Sequence, residues 1–193
     1  MNRRSLKPLV LLIACVLLTG VFLIGCNSTQ TQTEKPSDNT PTPTPPVETP
    51  STPTPQPVKL TLYYPDAQAT GLIVENRTVD VTEDEIIEAM FTELATPPSG
   101  LEEPLPQGTT LLSASVSTDG IATIDLSQEF RENFAGGSAG EQMTLYSIVN
   151  TLTTLPNIDS VQFLIAGDKH PGILGHIDTS EPLKANEGFI KTN

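Results

Sequence analysis

The stretch Thr110-Leu111-Leu112-Ser113-Ala114-Ser115-Val116-Ser117-Thr118-Asp119-Gly120-Ile121-Ala122-Thr123-Ile124-Asp125-Leu126 decides the fold. Asp119-Gly120 tolerates positive φ and predicts a tight turn joining two strands, Thr110 to Ser117 and Ile121 to Leu126. On the second arm Ala122, Ile124 and Leu126 fall on one face, the period-two pattern of a half-buried strand. A hairpin therefore stands at the centre of the foldable region, and the question becomes what lies on either side of it.

Downstream, Phe130 and Phe134 are spaced for one helical turn. Ser138 and Glu141 then form a capping-box pattern, and Leu145, Ile148, Val149, Leu152 and Leu155 draw an apolar helical stripe that stops at Pro156. Val161, Phe163 and Ile165 give a further buried strand. Upstream, Leu60, Leu62 and Tyr64 alternate with polar neighbours, and Leu72 to Val79 is a second strand. Ile87, Met90, Phe91 and Leu94 recur at helical spacing behind a Thr82/Glu85 capping box, and Pro97-Pro98 ends that segment. The order β-β-α-β-β-α-β predicts an α+β two-layer sandwich, a mixed β-sheet with two main helices on one face. The region is 58–193, one domain by size.

The residues before it cannot build a core. Between Asn27 and Pro57, nine of 31 residues are Thr and nine are Pro. Such composition predicts a disordered, extended spacer over 26–57, up to roughly 95 Å at about 3.1 Å per residue. Further back, Arg3, Arg4 and Lys7 precede the apolar run Pro8 to Phe22, and small Gly25 precedes Cys26, the layout of a secretory signal over 1–25. Leu23-Ile24-Gly25-Cys26 resembles the bacterial lipobox. That resemblance implies cleavage before Cys26, a thioether-linked diacylglycerol on it, and acylation of the new amino group. The chain is then expected on the extracytoplasmic face of the cell membrane, held by its lipid.

Charge narrows the partners. The chain carries 10 Lys+Arg against 23 Asp+Glu, and in 58–193 six basic and 20 acidic side chains leave the domain at −14. Such a surface argues against nucleic acid, which needs phosphate neutralisation. Both cysteines, Cys15 and Cys26, lie in the first 26 residues, so the domain has neither a disulfide framework nor a thiolate metal site.

Three constellations invite chemistry. Gly136-Gly137-Ser138-Ala139-Gly140 is a literal G-x-S-x-G, followed by Asp159 or Asp168 and then His170 or His176, the order of a hydrolase. A nucleophile elbow needs a strand delivering the serine, and the polar segment Ser127 to Asn133 precedes it instead. Capping the helix is the simpler role for Ser138. Asp168, His170, His176 and Asp178 offer imidazole and carboxylate to a metal, but the spacing across Pro171-Gly172 matches no established site. Hydrogen bonding within a returning loop accounts for them without metal. Tyr63, Tyr64 and Tyr146 would serve a cell-wall glycan binder if they clustered on the surface. No P-loop or dinucleotide fingerprint is present, and no cofactor is called for.

Taken in order, Leu62-Tyr63-Tyr64-Pro65-Asp66, Leu94-Ala95-Thr96-Pro97, Leu105-Pro106-Gln107-Gly108-Thr109, Ile124-Asp125-Leu126-Ser127, Thr151-Leu152-Thr153 and Leu174-Gly175-His176 resemble the GerMN domain of sporulation and spore-germination proteins, from about Val58 to Pro182. The family often ends its first helix in Gly-Pro where this chain has Thr96-Pro97. The resemblance implies a non-catalytic, membrane-anchored interaction or scaffold module with an envelope or sporulation protein as partner. Similarity to ring-building domains makes self-association a further expectation. Cys26 is then the one residue with an assigned covalent role, and no catalytic or metal-binding residue is implied.

Overall fold

The computed structural model describes residues 53–192. The expectations for the preceding segment, lipid-bearing Cys26 included, lie outside the described residues. The elements are β1 (Gln56–Pro65), β2 (Leu72–Val81), α1 (Ile86–Leu94), β3 (Leu111–Val116), β4 (Ile121–Leu126), a single turn α2 (Glu129–Glu132), α3 (Ser138–Leu152), β5 (Ser160–Ile165) and a short β6 (Leu183–Lys184). The α+β order read from the sequence is therefore present; the helical turn read at Phe130 is α2, which ends at Glu132 short of Phe134, and β6 is added. The first strand begins at Gln56, so Pro57 belongs to the sheet, opposite Asp80.

The strands form two sheets where one had been expected. β1 and β2 make a long antiparallel hairpin, and β3-β4-β5-β6 make a mixed sheet in which β4 and β5 run parallel and the other pairs antiparallel. Helix α3 supplies the reason. Its Ser147 hydroxyl donates to the Tyr63 carbonyl, and its Thr151 Oγ1 accepts from the Tyr63 N–H at 3.1 Å. Side chains one helical turn apart thus occupy backbone groups of β1 that another strand would have used.

The core is continuous across both sheets. Leu60, Leu62 and Tyr64 from β1, Met90, Phe91 and Leu94 from α1, and Leu145, Ile148, Val149 and Leu152 from α3 meet Ile124, Leu126, Val161 and Phe163 of the second sheet. Burying each such side chain contributes about 1.5–3 kcal/mol, so the stripes read as helical and strand faces are what drive the layers together. The central turn is built as its sequence predicts: Gly120 has φ +74°, its N–H donates to Ser117 O at 3.1 Å, and Ser117 N–H donates to Ile121 O at 2.9 Å.

Both helix starts differ in detail from their capping-box patterns. Gly137 holds the N-cap of α3 in extended backbone, and Ser138 is the first helical residue, with no side-chain bond to the cap. A Cβ at Gly136 would lie 2.6 Å from the tip of the Phe134 ring, so a larger residue at the entry to α3 would have to displace that ring. At the other helix, Thr82 Oγ1 donates to the Glu85 carboxylate at 2.6 Å, and a 3-10 turn over Glu83–Glu85 leads into α1. Among the described residues, no helix is long and apolar enough to cross a membrane.

Candidate functional site

The side chains suggested for hydrolysis do not converge. Ser138 is exposed on the first turn of α3. The His176 ring pairs through Nδ1 with Glu141 Oε2 at 2.7 Å. Asp159 sits under the β3–β4 turn, where its N–H donates to Gly120 O at 2.7 Å. Asp168 closes a small turn by exchanging backbone bonds with Ile165. The His176 ring is thus taken up by Glu141, and Asp159 and Asp168 lie in two further turns.

Glu141 carries the most informative polar geometry. Its side chain has no solvent exposure, yet it accepts from the His176 N–H at 3.0 and 2.9 Å and the Ile177 N–H at 2.8 Å, besides facing the His176 ring. A buried carboxylate is stable only when charge-assisted donors replace its water, and two successive backbone amides do so here. The arrangement staples the loop after β5 to the first turn of α3. Further along, Thr179, also buried, donates to His170 O at 2.8 Å and accepts from Ile173 N–H at 3.2 Å.

The metal alternative is not assembled either. The His170 ring lines a recess of about 390 Å³ with Arg131, Glu132 and Asp168, whereas His176 is turned to Glu141. Asp178 accepts from both the N–H and the hydroxyl of Ser180, which hold its carboxyl below the usual range. Among the described residues no group of three or more His, Cys, Asp or Glu is placed to hold a metal ion.

Nor do the tyrosines cluster. Tyr64 is buried, its hydroxyl donating to Glu93 O at 2.7 Å while the Arg77 guanidinium lies 5.6 Å from its ring centre. Burial pushes this phenol up to about 12. Tyr146 packs on Phe189, centroids 4.9 Å apart, and Tyr63 stands on the face of β1 opposite Tyr64.

Asp66, at the β1–β2 turn, is a junction whose bonding role the family motif did not reveal. It accepts from the N–H of Gln68 at 3.1 Å and of Thr70 at 2.8 Å, from the Thr70 hydroxyl at 2.8 Å, and from the Lys191 ammonium. Lys191 first, then Thr70, hold its carboxyl well below the usual carboxylate range. The bond ties the C-terminal segment to the hairpin.

An open cleft lies beside α1. It has a volume of about 820 Å³ and runs between the start of α1 and β3, lined by Ile86, Ile87, Leu112 and all the other residues of β3.

Two sheets joined by a helix whose side chains cap a strand edge, with polar groups spent on holding loops, define an α+β domain. The profile of the family described as "Germane: Sporulation and spore germination" matches residues 61–170, more than half of the chain, and the chain belongs to that family. Two solved structures share the fold. The tandem GerMN domains of the sporulation protein GerM from Bacillus subtilis superpose with a TM-score of 0.57 at 24% identity, over 67% of this chain and 46% of that one. The first GerMN domain of the same protein gives 0.53 at 25% identity, over 66% of this chain and 97% of that one. This chain thus spans about half the length of the tandem structure. No curated protein matches it significantly.

Proposed function

We propose that this chain is a lipid-anchored module on the extracytoplasmic face of the membrane, where its GerMN domain contacts an envelope or sporulation protein and catalyses nothing. Cys26, at the end of the apolar run and preceded by Leu23-Ile24-Gly25, is the observation that carries the anchoring. Two acyl chains hold a protein at a bilayer without any basic patch, which suits a domain of net −14. Membership in a sporulation and germination family supports the process. The pairing of the His176 ring with the buried Glu141, and the placement of Asp159 and Asp168 in turns of their own, support a binding role over hydrolysis.

Fractionation of cells expressing the chain tests the anchor. The unaltered protein is expected in the membrane fraction with diacylglycerol on Cys26 by mass spectrometry, and Cys26→Ser in the soluble or unprocessed pool. Equal membrane retention of the two would remove the lipid from the proposal. In a spore-forming source organism, deletion of the gene is expected to lower the yield of heat-resistant spores, restored by the unaltered chain and not by Cys26→Ser.

A further inference from the structure

The second sheet ends in β3, which has a neighbour on one side only. Ser117 N–H donates to Ile121 O, so the alternation of an antiparallel ladder turns the backbone groups of Ser113 and Ser115 toward β4 and those of Ala114 and Val116 outward. Sheet edges are ordinarily blunted by lysine, proline or a covering segment. The run Leu111-Leu112-Ser113-Ala114-Ser115-Val116 has no charge and no proline; its one irregularity is a bulge between Leu111 and Ser113. The edge of β2 is treated differently, since Lys191 N–H donates to Leu72 O at 2.9 Å there and Ile190 bridges to Leu72.

The cleft beside α1 follows this edge, because every residue of β3 lines it although successive side chains point to opposite faces. Its lining mixes apolar side chains with serines. Leu112 is 53% exposed, beside the partly buried Ile86 and Ile87. Its rim is acidic, with Glu83, Asp84 and Glu88 on one side and Asp119 and Asp159 in the adjoining recess at the turn. Among the described residues, none lining either recess is Lys or Arg.

We infer that the outer edge of β3 accepts, as an added strand, an extended segment of another protein that alternates apolar and basic side chains. Main-chain bonds to Ala114 and Val116 hold the strand, Leu112 and the α1 isoleucines take its apolar side chains, and the carboxylates select its lysines or arginines. The same carboxylates disfavour the other occupants. A second copy would bring Glu83, Asp84 and Glu88 against its own acidic rim. The chain's own spacer carries Glu34, Asp38 and Glu48 against Lys35, so it is not basic either. The inference rests on the reading of this domain as an interaction module and gives that module its contact surface.

The test uses the full chain in detergent with two short blocked peptides, one alternating valine and lysine, the other valine and glutamate. The lysine peptide is expected to bind by fluorescence anisotropy, to weaken as salt is raised, and to slow hydrogen exchange at Ala114 and Val116. Ala114→Pro, which removes an outward N–H at a position where an edge strand tolerates proline, is expected to abolish binding. Charge reversal of the exposed Glu83, Asp84 and Glu88 to lysine is expected to weaken it at least about tenfold. The triple variant decides the matter if the proline variant does not fold. Equal binding of the glutamate peptide, protection elsewhere, or a peptide-free chain whose β3 amides are already protected by self-association would each overturn the inference. None of these readouts depends on Cys26, so failure here is distinct from failure of the lipid anchor.

Discussion

Glu141 and His176, 35 residues apart, meet through three hydrogen-bonding contacts: both carboxylate oxygens face the His176 N–H, and Oε2 faces the imidazole Nδ1 at 2.7 Å. The two partners are unequal, because the carboxylate is fully buried and the ring is 57% exposed. Glu141→Ala leaves the amides of His176 and Ile177 without acceptors and should cost about 2–5 kcal/mol in denaturant unfolding of the full chain. His176→Ala keeps both amide bonds and should cost about 1 kcal/mol or less. Hydrogen exchange at Ile177 should accelerate in the first variant and change little in the second. Equal destabilisation by the two would mean that the ring, and not the backbone, is what the carboxylate holds.

Asp66 sets an acid limit. Lys191 and Thr70 hold its carboxyl below its ordinary value, so the group is more acidic folded than unfolded. A depressed carboxylate contributes stability that is present above the unfolded value, about 3.9, and is lost as pH falls from there toward the folded value. Unfolding free energy should therefore fall below about pH 4, and Asp66→Asn should show a shallower fall across the same window. At neutral pH that variant should cost about 1–3 kcal/mol, since the amide has one acceptor oxygen for donors that both carboxylate oxygens now serve and no charge to pair with the Lys191 ammonium.

Ser147 and Thr151 form a polar pair by which α3 holds β1. Ser147→Ala leaves the Tyr63 carbonyl without this donor, and Thr151→Val leaves the Tyr63 N–H without its acceptor. Each should cost about 1–3 kcal/mol, with Thr151→Ser retaining most of the stability. Because both act on one residue of β1, the double variant should depart from additivity in a double-mutant cycle.

This pair also marks where sequence reading stops. The apolar stripe of α3 gave the helix and its buried face, because Leu145, Ile148 and Leu152 repeat at helical spacing. Ser147 and Thr151 are buried as well, and polar residues one turn apart beside such a stripe are the only hint that a strand edge is being capped. Such a hint is compatible with one sheet or two, because it does not identify the strand that the helix meets. The same holds for Glu141: its spacing from Ser138 satisfies a local capping pattern, while its real donors lie 35 and 36 residues away. The β3–β4 turn was legible because its determinants are local. Asp66 was legible only as part of a family pattern, since Lys191 is 125 residues distant.

Gly120 offers a test of that turn. Its φ of +74° disfavours any side chain, and a Cβ would lie 2.6 Å from the Asp159 carboxylate. Gly120→Ala should cost at least about 1–2 kcal/mol from the backbone alone, with the clash adding to it. Combining it with Asp159→Ala should recover the clash and leave the backbone cost. Full recovery in the double variant would show that the left-handed conformation is not required.

Tyr64 sets the alkaline limit. Burial pushes its phenol up to about 12, with Arg77 pulling the other way. A group whose folded value lies above its unfolded value of about 10 contributes stability that is intact below pH 10 and lost as pH rises toward 12. Tyr64→Phe should remove that part of the alkaline loss. At neutral pH it should cost only about 0.5–1.5 kcal/mol, the hydroxyl bond to Glu93 O, because the ring still fills the core. Arg77→Ala removes the opposing charge and should move the phenol higher still. It also breaks the bonds from the guanidinium to the Glu93 carboxylate and the Thr96 carbonyl, each 2.5 Å long, which join β2 to the end of α1. Tyrosinate difference absorbance separates the three rings by elimination: Tyr63→Phe and Tyr146→Phe should leave the late-titrating step in place, and Tyr64→Phe should abolish it. An early-titrating Tyr64 would place solvent against the ring and break the link between β1, β2 and α1 on which this side of the core depends.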